Sequence, residues 1–457
     1  MPATVLTMFG ATGDLARKKL FPALGQLAQA GQLPDELLIQ AIGRRPLNDT
    51  SFADYLPDIP ALRQKVRYVR MDATDPSAYV GLLPVDARNI VYLSVEPHLV
   101  PQIIASLGGL GLPRDPTRMM LVLEKPFGFD AASARELDDL LCERFAEEQL
   151  FRIDHYIGKE SVQNLLAFRF ANRLFEAAWN RDQIEQIQIT VAETADVADR
   201  GAFYDATGAM RDLVQNHVLQ LLAYLTMEEP VSLTHEALAD ASQAVLDTLV
   251  AEPDRIIYGQ YAGYSEAEKI AAGSQTETFV ALRCVLDSER WQGVPIYIRT
   301  GKALDRRVSE IAVLFKSAGP PFTGDESDAS GIVFRLQPAE GIAIQLFAKS
   351  PEMSDHVEPI SLEYYAAEAF GDVPDAYVRL FHDFFAGDRT LSLRSDVIEA
   401  CWKFIDALLR TKPEQPVHSY TYGSWGPDAA RELIARDGRH WIVRAPESTA
   451  KQQLIEE

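Results

Sequence analysis

The order of apolar runs in the first 150 residues restricts the fold more than any other feature. Thr4 to Phe9 is a short run of apolar and β-branched residues that stops at Gly10 and reads as a buried strand. A helical pattern follows, with Leu15, Lys18, Lys19, Leu20 and Leu24 to Leu27. Leu37 to Ile42 is a second run ending at Gly43, Asn89 to Val95 a third, and Met119 to Leu123 a fourth that meets the turn-rich Glu124 to Gly128. Short strands that alternate with helical stretches make βαβ units, and a series of such units makes a parallel sheet. The rest of the chain has another texture. Runs at Ile184 to Val191, Thr278 to Val285, Val294 to Arg299, Glu310 to Phe315, Ile332 to Gln337 and Gly341 to Phe347 crowd together with few helices between them. That pattern predicts a large, mainly antiparallel sheet in an α+β domain. A chain of 457 residues is also too long for one ordinary core, so two unequal domains are expected.

Composition narrows the partners. Hydrophobic residues make up 47% and charged residues 24%, as in a folded globular protein. The formal net charge of −22 argues against nucleic acid or an anionic membrane as a bulk partner. An acidic protein that handles an anion must gather its cations locally, so clustered Lys, Arg and His carry information. The cysteines, Cys142, Cys284 and Cys401, are far apart and lack metal-ligand spacing, which excludes a disulfide scaffold and a zinc module. No metal is expected. Met1 to Gly10 does not read as a signal peptide, and no run approaches the ~18 apolar residues of a membrane span. The expectation is a soluble, cytoplasmic protein without internal repeats, ending in a mobile tail at residues 448–457.

Gly10-Ala-Thr12-Gly13-Asp14-Leu15-Ala16 joins the first strand to the first helix. A glycine turn there lets the helix present free N–H groups and its positive dipole end to a pyrophosphate. The spacing is GxxGxxA, not GxGxxG, and its weight comes from its position in a βαβ unit. After the second strand an NAD site usually has an acid for the ribose 2′-hydroxyl. This chain has Gly43-Arg44-Arg45 and no acid until Asp49, which suits the 2′-phosphate of NADP.

Two later segments carry chemistry. In Gly208 to Met227 the residues Met210, Leu213, Val214, His217, Val218, Leu221, Leu222 and Leu225 recur at helical spacing, which puts His217 on an apolar stripe. Periodicity alone suits a core histidine, but Asp212, Gln215 and Asn216 crowd polar groups beside it. On an α-helix Asp212 would stand roughly 140° from His217, so an orienting carboxylate should come from elsewhere. Arg152-Ile-Asp154-His155-Tyr156-Ile-Gly-Lys159-Glu160 follows the parallel-sheet region and opens a helical stretch, Ser161 to Trp179. Arg, His, Tyr and Lys near a helix start form a phosphate cradle.

Taken in order, GATGDLARKKLFPAL (10–24), EKPFG (124–128), RIDHYIGKE (152–160), RGAFYDATGAMRDLVQNH (200–217), TETFVALR (276–283) and VPIYIRTGKAL (294–304) closely resemble the glucose-6-phosphate dehydrogenase family. Weaker echoes continue to TYGSWGP (421–427), so the resemblance covers nearly the whole chain. It implies a Rossmann-like NADP-binding α/β domain (residues 1–153). A substrate-binding and dimerising β+α domain (residues 154–457) with the large sheet follows, in a homodimer or dimer of dimers. The implied reaction is oxidation of glucose 6-phosphate at C1 to 6-phosphoglucono-1,5-lactone with NADP, the first step of the oxidative pentose phosphate pathway.

The resemblance also implies residue roles. His217 would be the general base and Asp154 its carboxylate partner. His155, Tyr156 and Lys159 would hold the 6-phosphate, and Glu193, Asp212 and Lys302 the sugar hydroxyls. Lys125 would lie between sugar and cofactor, with Pro126 shaping that turn. Gly10, Thr12, Gly13, Asp14 and Leu15 would line the dinucleotide loop, with Arg44 or Arg45 on the 2′-phosphate. Arg307 stands where many relatives carry a second substrate lysine, keeping the charge but not the geometry. Glu96 stands beside the expected nicotinamide pocket where the family often has proline. Two other readings compete: a dehydrogenase for another sugar phosphate or a free sugar, and a non-catalytic NADP-sensing protein. The intact cradle argues against a free sugar. Presence of His217, Asp154 and Lys159 together argues against a sensor.

Overall fold

Strand β1 (Thr4–Phe9) is buried along its whole length, and burying side chains such as Leu6 and Phe9 stabilises by about 1.5–3 kcal/mol each. Around it the first unit builds β2 (Leu37–Gly43), β3 (Val66–Arg70), β4 (Arg88–Leu93), β5 (Met119–Glu124) and β6 (Leu150–Ile153). All pairings are parallel, in the order β3-β2-β1-β4-β5-β6. The order reverses between β1 and β4, the place where open parallel sheets bind ligands beyond their C-terminal strand ends. The computed structural model describes residues 4–197, 200–317, 330–351 and 355–442. The expected tail at 448–457 lies outside them.

Where a single cut after residue 153 is expected, the first compact unit comprises residues 1–159, 230–240 and 374–399. The late segment belongs there because it packs on the sheet. Arg152 and Leu393 share a backbone hydrogen bond of 2.9 Å, and the Arg88 guanidinium donates to the carbonyls of Phe384 and Phe385. The Phe384 ring meets Phe151 edge-on at 5.4 Å, and Phe381 stacks on Tyr92 at 5.7 Å.

The second unit comprises residues 160–229, 241–373 and 400–457. Its strands are β7 (Ile184–Ala192), β8 (Leu249–Tyr261), β9 (Phe279–Leu286), β10 (Ile296–Gly301), β11 (Val308–Phe315), β12 (Gly331–Gln337), β13 (Gly341–Lys349), β14 (Val357–Tyr365) and β15 (Val417–Tyr420). They form one sheet in the order β14-β13-β12-β11-β7-β10-β9-β8-β15. Its pairings are antiparallel except β7 with β10 and β8 with β15. The helix Glu160–Ala171 lies against it, Phe168 meeting Phe334 of β12 edge-on at 5.1 Å.

Two helical expectations change. Ser161 to Trp179 is not one helix: it breaks at Asn172 and resumes as the short helix Arg173–Glu176. Gly208 to Met227 is not a uniform α-helix either. The chain kinks at Gly208, runs as a π-helix over Met210–Val218, and becomes α-helical over Leu219–Thr226. No helix among the described residues is long and apolar enough to cross a membrane.

Candidate active site

In the first unit, the ends of β1 and β4 shape the dinucleotide loop. Gly10 has φ +81°, and a Cβ there would lie 2.0 Å from the Ser94 carbonyl oxygen, so only glycine fits. Gly13 donates its N–H to the Gly10 carbonyl at 2.9 Å and accepts from Arg17 at 3.1 Å, which closes the turn into the helix. Thr12 and Leu15 are half-buried there, while Gly13 and Asp14 are exposed. The Lys18 ammonium, 3.0 Å from Asp14, holds that carboxyl below its usual range. Thr12 also faces the end of β2, since a Cβ on Gly43 would lie 3.1 Å from its methyl group. Arg44 and Arg45 follow, both exposed. Arg45 donates to the Tyr55 hydroxyl at 2.5 Å, and its carbonyl accepts from Tyr68 at 2.8 Å. The glycine turn thus opens a dinucleotide-type helix start, with the two exposed guanidiniums just past the end of the neighbouring strand. Glu96 is exposed just past β4 and 3.4 Å from His98.

The end of β5 carries groups that the sequence reading does not single out. Glu124 accepts from the Tyr92 hydroxyl at 2.6 Å and the Tyr377 hydroxyl at 3.1 Å. Burial pushes its carboxyl up to about 7, opposed by the two hydroxyls and by Lys125. The next peptide, Lys125–Pro126, is cis. Tyr377 also stacks on the His155 ring, with centroids 6.0 Å apart.

The turn after β6 packs the phosphate-cradle residues onto one another. Asp154 is 1% exposed, and one carboxylate oxygen accepts the Tyr156 N–H at 2.8 Å. Lys159 donates its backbone N–H to the Tyr156 carbonyl, and its ammonium sits 4.2 Å from the centre of the Tyr156 ring. Tyr156 and Lys159 are buried and His155 is half-buried. Arg152, from the same motif, points elsewhere. Its buried guanidinium pairs with Glu147 and Asp138, a structural ion cluster.

In the second unit, β7 and β10 pair in parallel, so Glu193 and Lys302 leave neighbouring strand ends. Their charged groups lie 2.5 Å apart, and the Lys302 ammonium is 5.1 Å from the Tyr204 ring centre. His217 is 1% exposed and Asp212 8% exposed, both on the π-helical stretch. The 140° separation expected on an α-helix does not apply there. In a π-helix the bonds run from i to i+5, so residues five apart stand about one turn apart on a similar face. The His217 N–H donates to the Asn216 side-chain oxygen at 2.6 Å. Arg307 is exposed just before β11 and makes no hydrogen bond or ion pair with a side chain among the described residues.

Fold and site together define a dinucleotide-dependent dehydrogenase with a two-part architecture. Residues 7–164 match the model of the glucose-6-phosphate dehydrogenase NAD binding domain, and residues 166–442 the model of the C-terminal domain of the same enzymes. The chain belongs to the glucose-6-phosphate dehydrogenase family. It is 37% identical to glucose-6-phosphate 1-dehydrogenase of Aggregatibacter actinomycetemcomitans, over 98% of this chain and 99% of the relative. The Bacillus subtilis enzyme of that name is 36% identical over 96% and 98%. A solved glucose-6-phosphate dehydrogenase in complex with glucose-6-phosphate matches with TM-score 0.90 and 31% identity, over 97% of this chain and 99% of that one. The Mycobacterium avium structure matches with TM-score 0.87 and 35% identity, over 98% and 100%.

Proposed function

We propose that this chain oxidises glucose 6-phosphate at C1 to 6-phosphoglucono-1,5-lactone, with NADP as the preferred cofactor. What carries the reading is the full-length match to glucose-6-phosphate 1-dehydrogenases in a chain that keeps a histidine, His217, buried beside Asp212 and Asn216 on one helical stretch. His217 takes the proton of the C1 hydroxyl as a neutral imidazole, and Asp154 stabilises the imidazolium that forms. His155, Tyr156 and Lys159 hold the 6-phosphate by charge-assisted hydrogen bonds. Glu193, Asp212, Lys302 and Arg307 bind and orient the sugar. Lys125 serves both substrates. NADP, when bound, accepts hydride from C1. Gly10, Thr12, Gly13, Asp14 and Leu15 line the loop whose backbone N–H groups receive its pyrophosphate, and Arg44 or Arg45 meets its 2′-phosphate.

We propose a cytoplasmic enzyme that catalyses the first step of the oxidative pentose phosphate pathway. A homodimer or dimer of dimers is supported by Leu346, Phe347, Ile360 and Leu362, apolar residues exposed on β13 and β14. The test of activity is the absorbance of reduced nicotinamide at ~340 nm with glucose 6-phosphate and each cofactor in turn. No turnover with glucose 6-phosphate, or turnover of another sugar phosphate alone, sinks the reading.

A further inference from the structure

Glu277 lies in the segment TETFVALR, to which no role above is given, and it is 1% exposed. Three of its groups meet the start of the π-helical stretch or brace it. Its carbonyl accepts the Ala209 N–H at 3.0 Å, and one carboxylate oxygen accepts the Met210 N–H at 3.1 Å. The other oxygen pairs with the Lys412 ammonium. Donors at a helix start have no partner within the helix, and a carboxylate there also meets the positive end of the dipole. Gly208 makes the approach possible. It has φ +66°, and a Cβ would lie 2.3 Å from the same carboxylate oxygen that takes the Met210 N–H.

Thr278, the next residue, holds a different segment. Its carbonyl accepts the Lys302 N–H at 2.9 Å. The Tyr420 hydroxyl donates to the Lys302 carbonyl at 2.8 Å and lies 2.9 Å from the Thr278 hydroxyl. Two consecutive residues thus tie the helix that bears Asp212 and His217 to the turn that bears Lys302.

We infer that Glu277 is a positioning residue for the oxidation: its carboxylate, steadied by Lys412, sets the helix of Asp212 and His217 in register with the Lys302 turn. Nothing in this role touches the substrate. The inference rests on the function proposed above and deepens it, because it concerns how those side chains are aimed.

The experiment compares Glu277→Ala, Glu277→Gln and Lys412→Met with the parent protein by thermal unfolding, NADP affinity and steady-state kinetics with glucose 6-phosphate. Glu277→Ala is expected to keep NADP affinity within about twofold while kcat falls at least about tenfold, since a small misplacement of a catalytic group is costly. Glu277→Gln retains an acceptor for the Met210 N–H and should recover most of the loss, a rescue that a merely space-filling role would not require. Lys412→Met should fall between the two. A folded Glu277→Ala protein with parental kcat and KM overturns the inference. If that variant does not fold, Lys412→Met decides: parental kinetics overturn it and reduced kcat supports it. The two layers separate cleanly. A parent that fails to oxidise glucose 6-phosphate removes the proposed function. An active parent that is disabled by His217→Asn but indifferent to Glu277→Ala removes only this inference.

Discussion

The Lys302 ammonium stands 2.5 Å from the Glu193 carboxylate, each residue lying just past one of two strands that pair in parallel. The lysine side chain is 9% exposed and the glutamate 38%, so the pair is open on its acidic side. Both groups already have a partner before sugar arrives, which holds their rotamers and lowers the ordering cost of binding.

Lys302→Met should therefore weaken glucose 6-phosphate binding by about 1.5–3 kcal/mol, the scale of a charged hydrogen bond, or roughly ten- to a hundredfold in KM. NADP affinity should not move. Steady-state kinetics with both substrates varied checks this, and an equal loss for cofactor and sugar would show a general structural defect.

The 6-phosphate contacts can be separated from the sugar contacts. Lys159→Ala should weaken glucose 6-phosphate binding by about 1.5–3 kcal/mol and leave the slow use of unphosphorylated glucose nearly unchanged. The ammonium is buried against the Tyr156 ring, so a structural role is the competing explanation. Parallel losses on both sugars would establish that competitor.

Cofactor choice rests on Arg44 and Arg45. Replacing both by Ala should raise KM for NADP far more than for NAD, because a 2′-phosphate loses its guanidinium partners and a 2′-hydroxyl does not. A parent that uses NADP and NAD equally well would contradict the assignment.

These expectations were legible to different degrees. Among the strands at the centre of each sheet, Thr4–Phe9 stands out as a fully buried run of apolar residues and threonine, and Ile184–Ala192 by its alternation of Ile187, Ile189 and Val191 with Gln188 and Thr190. The strands that escaped the sequence reading are mostly edges. β3 and β6 flank the first sheet, β14 and β15 the second, and β8 lies beside β15. An edge strand covers less core, so Val66–Arg70 alternates Val and Tyr with Arg, and Val357–Tyr365 carries Pro359 and two glutamates. Helix type was invisible for another reason. The apolar spacing around His217 fits an α-helix, whereas the π-helical turn follows the kink at Gly208 and the carboxylate of Glu277 at its start. The Tyr92–Glu124–Tyr377 group joins residues 32 and 253 positions apart, and no local pattern announces it.

That group gives a pH prediction. Glu124 has its folded-state carboxyl raised to about 7 from the ordinary value of 4.5, burial being the main cause. A raised pKa means the folded state binds the proton more tightly, so its stabilisation is complete below pH 4.5 and is lost as pH rises through 7. The thermal midpoint of the parent should fall, relative to Glu124→Gln, as pH is raised from about 5 to about 8. A midpoint difference that stays constant across that window would show that Glu124 titrates normally.

The base is the sharpest test. A hemiacetal hydroxyl is a weak acid, and C1 cannot lose hydride cleanly while the proton stays on its oxygen. An imidazole has an ordinary pKa of about 6.5 and is suited to take that proton near neutral pH, for a contribution of roughly 10²–10⁴ in rate. His217 is buried, and its neighbours on the helix, Asp212 and Asn216, are buried as well. His217→Asn keeps a polar side chain of smaller size, so folding and NADP affinity should survive while turnover falls at least ~10²-fold. Asp154→Asn should lose activity in the same direction but keep more of it, because the imidazolium loses its stabilising charge and not its proton site. In the parent, kcat/KM should drop on the acid side as the imidazole protonates, and that limb should disappear in His217→Asn. A folded His217→Asn protein with normal turnover and an unchanged acid limb would make His217 a core histidine and leave the proton to another group.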